Sequence, residues 1–169
     1  MSTLITTTVQ GVQNIKYDGS TTAMTIDSGG RILQPEKPHF HVTKTDGHVG
    51  ASTIIIWNNK TGGGARDTES AYNTSTGKYT IPAGLTGLWW FGVSALTNNT
   101  SYVEITLKVN NVPRFNARNQ GSNNTNNCAT INAAYYATAG DVIDIHTEAG
   151  SSMYGTGNQY SFWTGYLIG

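Results

Sequence analysis

Apolar and polar residues alternate along several short segments of the chain. The clearest segment runs from Tyr102 to Val109, where every second residue from Val103 onward is aliphatic. A period of two places such residues on one face of a β-strand. We find no segment with apolar residues at helical spacing over more than two turns. The pattern therefore predicts a half-buried strand here and an all-β chain.

Further strands are predicted where apolar or aromatic residues alternate between turns. They are Ile54–Trp57, Leu88–Ala95, Ile131–Thr138, Ser161–Ile168 and a strand with Ile143 and Ile145 facing inward. Stretches rich in Gly and Asn separate them, at residues 58–65, 73–77, 98–101, 116–127 and 150–158. Many short strands joined by such turns are typical of a β-sandwich or a barrel.

The first 36 residues follow a different pattern. They hold few apolar residues and two turn signals, Asp18-Gly19 and Asp27-Ser28-Gly29-Gly30. So few apolar residues do not form a core of their own. Pro35 and Pro38 bracket an extended link. We therefore expect an extended N-terminal arm over residues 1–36 and one folded domain over residues 37–169.

The composition narrows the possible partners. The chain has 10 basic and 10 acidic residues, so its net charge is zero, and charged residues make only 12% of it. Thr, Gly, Asn and Ser take their place, which again favours strands and tight turns. Affinity for a phosphate backbone needs clustered Lys and Arg, so we expect no nucleic-acid partner.

Cysteine content and hydropathy exclude other classes. One cysteine, Cys128, rules out a disulfide within the chain and a four-cysteine metal site. No apolar run approaches the ~18 residues of a membrane span. The first residues lack the pattern of a signal peptide. We expect a soluble, complete gene product that is neither exported nor inserted into a membrane.

Two sets of residues could in principle bind a metal. His39 and His41 share a strand face, a spacing seen in β-sheet metal sites, but no third ligand is adjacent. The outward row of Asp144, His146 and Glu148 could hold calcium at an oligomer axis. A strand that displays polar residues to solvent is the simpler interpretation of both, so we predict no metal.

Catalytic motifs are incomplete. Ser94 lies in Gly92-Val93-Ser94-Ala95, which lacks the second glycine of a nucleophile elbow. The glycine run after Thr61 lacks the Lys-Ser or Lys-Thr pair of a phosphate-binding loop. We predict no catalytic residue, no cofactor and no enzymatic activity.

Aromatic residues occupy both faces of two predicted strands. In Leu88–Phe91, Trp89 and Phe91 share one face and Trp90 takes the other, and Tyr160–Tyr166 repeats this arrangement. A sandwich normally buries one face of a strand, so the second aromatic face needs another partner, most simply a second copy. The residues expected at this interface between copies are Trp90, Tyr160, Phe162 and Tyr166.

A series of short motifs runs from about Lys37 to the last residue. The strongest are a Tyr-Asn pair, a Thr-Gly-x-aromatic-Thr-x-Pro motif and a Gly-x-aromatic-x-Phe motif, at Tyr72-Asn73, Thr76–Pro82 and Gly87–Phe91. Weaker elements are the opening strand Pro38–Val42, Trp57-Asn58, the element Ala139-Gly140-Asp141-Val142 and the closing strand Ser161–Ile168. In this order they resemble the C1q and tumour-necrosis-factor-like domain. The resemblance implies a ten-stranded jelly-roll β-sandwich that assembles as a homotrimer.

The arm separates this chain from secreted members of that family. No Gly-X-Y collagen stalk precedes the domain. Residues 23–32 instead resemble the segment that precedes trimeric head domains in fibre-like proteins of tailed bacteriophages. This resemblance implies a virion surface protein, either a capsid decoration or a fibre tip. Residues 1–36 would then bind a capsid or tail protein.

Loops at the end of the domain are candidates for recognition. Polar and aromatic side chains there could bind a host surface glycan or protein. The candidates are Asn123, Asn124, Asn126 and Tyr154. The alternative function is a soluble C1q-like module of bacterial origin that recognises a carbohydrate or a protein.

Overall fold

A computed structural model gives the arrangement of most of the chain. It describes residues 13–16, 19–20, 22–34, 37–44, 47–50, 52–60, 65–97, 102–119, 127–148, 151–152 and 160–169. Within these ranges all helix-or-strand structure is β-strand, which confirms the all-β fold class. The chain divides into two compact units, Met1–Lys37 and Pro38–Gly169. No helix in the described ranges has the length and apolarity needed to cross a membrane.

The N-terminal unit contains a small antiparallel sheet. Its strands are β1 (Asn14–Lys16), β2 (Thr22–Ile26) and β3 (Ile32–Leu33), in that order. In the turn from β2 to β3, the Asp27 carboxylate accepts hydrogen bonds from the backbone N–H of Gly29 and Arg31. Its other oxygen lies 2.7 Å from Arg31 Nε, and these contacts lower the pKa of Asp27. The predicted turn is therefore confirmed.

The second unit is a sandwich of two antiparallel sheets. Its strands are β4 (His39–Thr43), β5 (His48–Val49), β6 (Thr53–Ile54), β7 (Arg66–Asp67), β8 (Tyr72–Asn73), β9 (Lys78–Thr80), β10 (Gly87–Thr97), β11 (Val103–Val109), β12 (Val112–Asn119), β13 (Asn127–Ala137), β14 (Val142–Thr147), β15 (Ser151–Ser152) and β16 (Phe162–Leu167). One sheet has the order β13-β10-β16-β4-β7, and the other has the order β12-β11-β14-β9-β8 with β6 also paired to β14. Strands β5 and β15 pair separately. Neighbours in each sheet are mostly distant in sequence, as in a jelly roll.

Most predicted strands are present, with two differences. The strand predicted at Ile54–Trp57 has only Thr53 and Ile54 in register with β14. A turn-rich stretch was predicted for residues 116–127. Its first four residues, 116–119, instead belong to β12, which ends at Asn119. Phe115 and Ala117 pack against the core from this strand, so alternate burial continues through a polar sequence.

Aromatic residues fill the core between the two sheets. Phe40 stacks on Tyr79 with ring centroids 4.1 Å apart, and Trp163 meets Phe40 edge-on at 4.8 Å. Trp57 and Trp89 are also fully buried. Large rings bury much apolar surface per residue, so they offset the low content of aliphatic side chains.

Two buried tyrosines give a test of this core. The Tyr72 hydroxyl accepts a hydrogen bond of 2.8 Å from the backbone N–H of buried Trp57. Tyr72→Phe leaves that N–H without an acceptor, so it will lower the free energy of unfolding by about 1–3 kcal/mol. Among the residues that the structure describes, the buried Tyr79 hydroxyl has no hydrogen-bond partner. Tyr79→Phe is therefore the matched control and will be neutral or stabilising in urea unfolding. An equal loss in both variants would contradict the assignment.

Candidate functional site

The outer side of the five-stranded sheet carries a cluster of aromatic side chains. Strand β10 turns Trp89 and Phe91 into the core, so Leu88 and Trp90 point away from it. Tyr166 of β16 is the cross-strand partner of Trp90, and Tyr136 of β13 is the partner of Leu88. We call this surface the aromatic face. Its large side chains are His39, His41, Leu88, Trp90, Tyr136, Phe162 and Tyr166.

Ring pairs and a glycine shape the aromatic face. The rings of Trp90 and Tyr166 lie 5.3 Å apart, and those of His41 and Phe162 lie 5.5 Å apart. Gly92 also faces outward, and a Cβ there would overlap the Trp90 ring. The Trp90 indole therefore lies over Gly92, where a larger residue would displace it.

The face carries little charge. Among the outward residues of its five strands, Arg66 is the one with a formal charge at neutral pH, beside His41 in the register of β7 and β4. Tyr136 is 65% exposed and Leu88 is 37% exposed. Exposed aromatic residues with few charges around them are typical of an interaction site.

Three of the four residues expected at an interface meet on this face. Trp90 and Phe162 are half-buried, and Tyr166 is 39% exposed. Tyr160 lies just before β16 and is 46% exposed, and its backbone oxygen accepts a hydrogen bond from Ser94 Oγ at 3.4 Å. That these four residues contact another copy stays a prediction.

Sequence reasoning missed other members of the face. The adjacent pair Tyr135-Tyr136 repeats the signal of Trp89-Trp90, because neighbouring aromatics in one strand must point to opposite sides. His39 and His41 alternate with Phe40 and Val42, which are fully buried. The sequence analysis placed both histidines together on one polar strand face, but it did not connect that face with the aromatic side chains of β10 and β16.

On the outer side of the second sheet, the predicted exposure of Asp144 was wrong. We expected Asp144, His146 and Glu148 to form a solvated strand face, but the Asp144 side chain is only 1% exposed. Lys78 and Lys108 are its neighbours on the adjoining strands, and their long side chains limit its contact with water. The period of two correctly placed these residues on the outer side of the strand. Their exposure to solvent depends on neighbouring residues that are distant in sequence.

Asp144 and His146 form a close pair. His146 Nε2 lies 3.0 Å from Asp144 Oδ1. Burial raises the pKa of Asp144 and lowers the pKa of His146. Glu148, the third of these residues, forms a salt bridge with Lys108, with Nζ 3.6 Å from Oε1.

Neither metal candidate forms a ligand cluster. In the part of the chain that the structure describes, no group of three or more His, Cys, Asp or Glu side chains is placed to hold a metal ion. The four loop residues proposed for recognition, Asn123, Asn124, Asn126 and Tyr154, lie outside the described residues. Their role stays a prediction.

Several solved structures have the same fold as this chain. The globular domain of zebrafish complement 1qA superimposes with a TM-score of 0.63 at 19% identity, covering 79% of this chain and 98% of that one. Murine APRIL gives 0.63 at 9% identity, with 78% and 99% covered. Eiger TNF from S. frugiperda gives 0.62 at 15% identity, with 79% and 93% covered. These likenesses confirm the predicted C1q/TNF-like jelly-roll fold.

Sequence comparison gives the family. No curated protein matches the chain by sequence. The family model of the C1q domain matches residues 40–168, which is most of the chain and contains both main sheets. The chain therefore belongs to the C1q domain family.

Proposed function

We propose that this chain is a non-enzymatic, trimeric knob on the surface of a tailed-phage virion, where it decorates the capsid or caps a fibre. C1q and TNF-like domains are generally non-enzymatic recognition and binding modules, and they commonly form trimers. The aromatic face is the observation that carries the proposal, because a monomer would leave it in water.

A closed trimer needs two different patches on each copy, since the contacts around a three-fold axis are heterologous. The aromatic face supplies one patch. The second is the edge of the sandwich where β12 and β13 both end their sheets. Val112 is 47% exposed there, and the half-buried rings of Phe115 and Tyr135 meet edge-on. Apolar groups at this edge can cover the aromatic face of the next copy.

Low charge supports close packing of copies. The chain has no net charge. Arg66 is the formally charged residue among the outward residues of the strands that form the aromatic face. Because the net charge is zero, long-range electrostatic repulsion between copies opposes association weakly.

The N-terminal unit is the proposed attachment. Ile15, Ile32 and Leu33 are about half exposed, at 48%, 62% and 47%, on a sheet too small to cover them. We assign residues 1–36 to binding a capsid or tail protein, which would cover these side chains. The loops that contain Asn123 and Tyr154 would contribute contacts to a host surface glycan or protein.

Purified particles test the virion role. Mass spectrometry of virions from the source of this gene is expected to detect the chain, and cryo-electron microscopy is expected to show a three-fold knob joined to the capsid or a fibre by a narrow stem. Absence of the chain from particles would contradict the virion role and leave the trimer to be judged separately.

A soluble recognition module of bacterial origin is the second candidate. The C1q match supports it, because C1q and TNF-like domains are generally recognition and binding modules. The two candidates differ in where the chain is found. A chain recovered free from bacterial cultures, without particles, would favour the soluble module.

A further inference from the structure

His41 is a titratable group set within the aromatic face. Its ring lies against the Phe162 ring, with centroids 5.5 Å apart and planes inclined by 36°. Thr164 on β16 and Arg66 on β7 are its cross-strand partners. The side chain is half-buried already, and burial lowers the pKa of His41.

The groups that face His41 do not favour a positive charge. On its own strand the neighbour on that face is His39, β16 offers Phe162 and Thr164, and β7 offers Arg66. Asp67 follows Arg66, but it is paired with core-facing Phe40. Its carboxylate accepts hydrogen bonds from the backbone N–H of Ala71 and Tyr72. No carboxylate among the described residues of these strands is therefore turned toward His41.

We propose that His41 makes assembly through the aromatic face depend on pH: the neutral imidazole lets a second copy cover the face, and the imidazolium opposes it. This inference rests on the proposed trimer. Covering the face removes water from His41, which raises the free energy of its charged form. Among the described residues of the strands beside it, no carboxylate faces His41 to offset that cost.

The docking edge of the next copy brings no acidic residue from β12. The charged residues of that strand are Arg114 and Arg118, which lie over the rings of Tyr135 and Tyr102 at 5.7 Å and 4.3 Å. Strand β13, the other strand of that edge, has no charged residue, so we expect association of protonated copies to release a proton from His41. The association is fully available above the ordinary histidine pKa of about 6.5. It weakens as the pH falls through the pKa of His41 in the free copy, which burial already holds below that value.

Dilution experiments at two pH values test the inference. We expect the concentration at which half of the trimer dissociates to rise about tenfold between about pH 8 and about pH 5.5 in the wild type. In His41→Gln, which stays neutral, that concentration should change less than about twofold. Mass photometry or sedimentation velocity measures both.

A second histidine provides the matched control. His146 also has a pKa lowered by burial, but it lies on β14 in the other sheet. His146→Gln should keep the wild-type pH dependence. A wild-type midpoint that does not move with pH, a shift that His41→Gln retains, or a shift that His39→Gln removes would each overturn the role of His41.

A different result would contradict the proposed trimer itself. A wild-type chain that is monomeric at about pH 8 would contradict assembly through this face, whatever its behaviour at low pH. A trimer that is equally stable at both pH values would contradict the role of His41 alone.

Discussion

Gly165→Ala will lower the free energy of unfolding by about 3 kcal/mol, at the upper end of the usual effect of overpacking a core. A Cβ at Gly165 would overlap the buried Phe40 ring and lie 2.9 Å from Phe91 Cδ1. Phe40 cannot give way, because it stacks on Tyr79 and meets Trp163 edge-on. Urea unfolding followed by tryptophan fluorescence measures the change.

Gly50→Ala is the matched control for this loss. A Cβ at Gly50 would lie 3.5 Å from Thr53 Cγ2, an ordinary van der Waals contact. The substitution should change the free energy of unfolding by less than about 1 kcal/mol, in either direction. If both alanine variants unfold at the wild-type urea midpoint, the close approach of the Gly165 backbone to Phe40 is wrong.

Removing rings from the aromatic face should dissociate the trimer while leaving the fold intact. Tyr166→Ala and Phe162→Ala each delete an aromatic side chain that is only partly covered within one chain. Aromatic residues at the centre of an interface commonly contribute about 2–4 kcal/mol each to association. Because the same loss occurs at all three contacts of a closed trimer, either variant should be monomeric at concentrations where the wild type is trimeric.

Ile56 separates assembly from general loss of apolar surface. It is 39% exposed, as Tyr166 is, but it lines a different surface cleft with Lys44 and Val49. Ile56→Ala should leave the mass of the assembly unchanged in light scattering. Circular dichroism of all three variants should match the wild type. Dissociation by Ile56→Ala to the same extent would show that the aromatic face has no special role.

Local patterns in the sequence predicted the faces of single strands well. Alternation identified Val103–Val109 and placed Ile143 and Ile145 in the core, where both are fully buried. Neighbouring aromatics in β10 and β16 predicted two apolar sides, and the structure places Trp90 and Tyr166 as cross-strand partners. A period of two depends only on backbone geometry, so it can be read without knowing the partners.

What covers a residue could not be predicted in this way. The same period put Asp144 on the outer face, but Lys78 and Lys108 come from strands distant in sequence, and they limit its exposure. The extent of β12 through Asn119 likewise depends on pairing with β11. The structure supplies the strand order, which a local sequence pattern does not contain.

The mass of the wild-type chain in solution tests the central claim most directly. Sedimentation equilibrium at micromolar concentration and about pH 8 should give a single species of about 54 kDa, three times the 18.1 kDa of one chain. A species of 18.1 kDa under the same conditions would contradict assembly through the aromatic face.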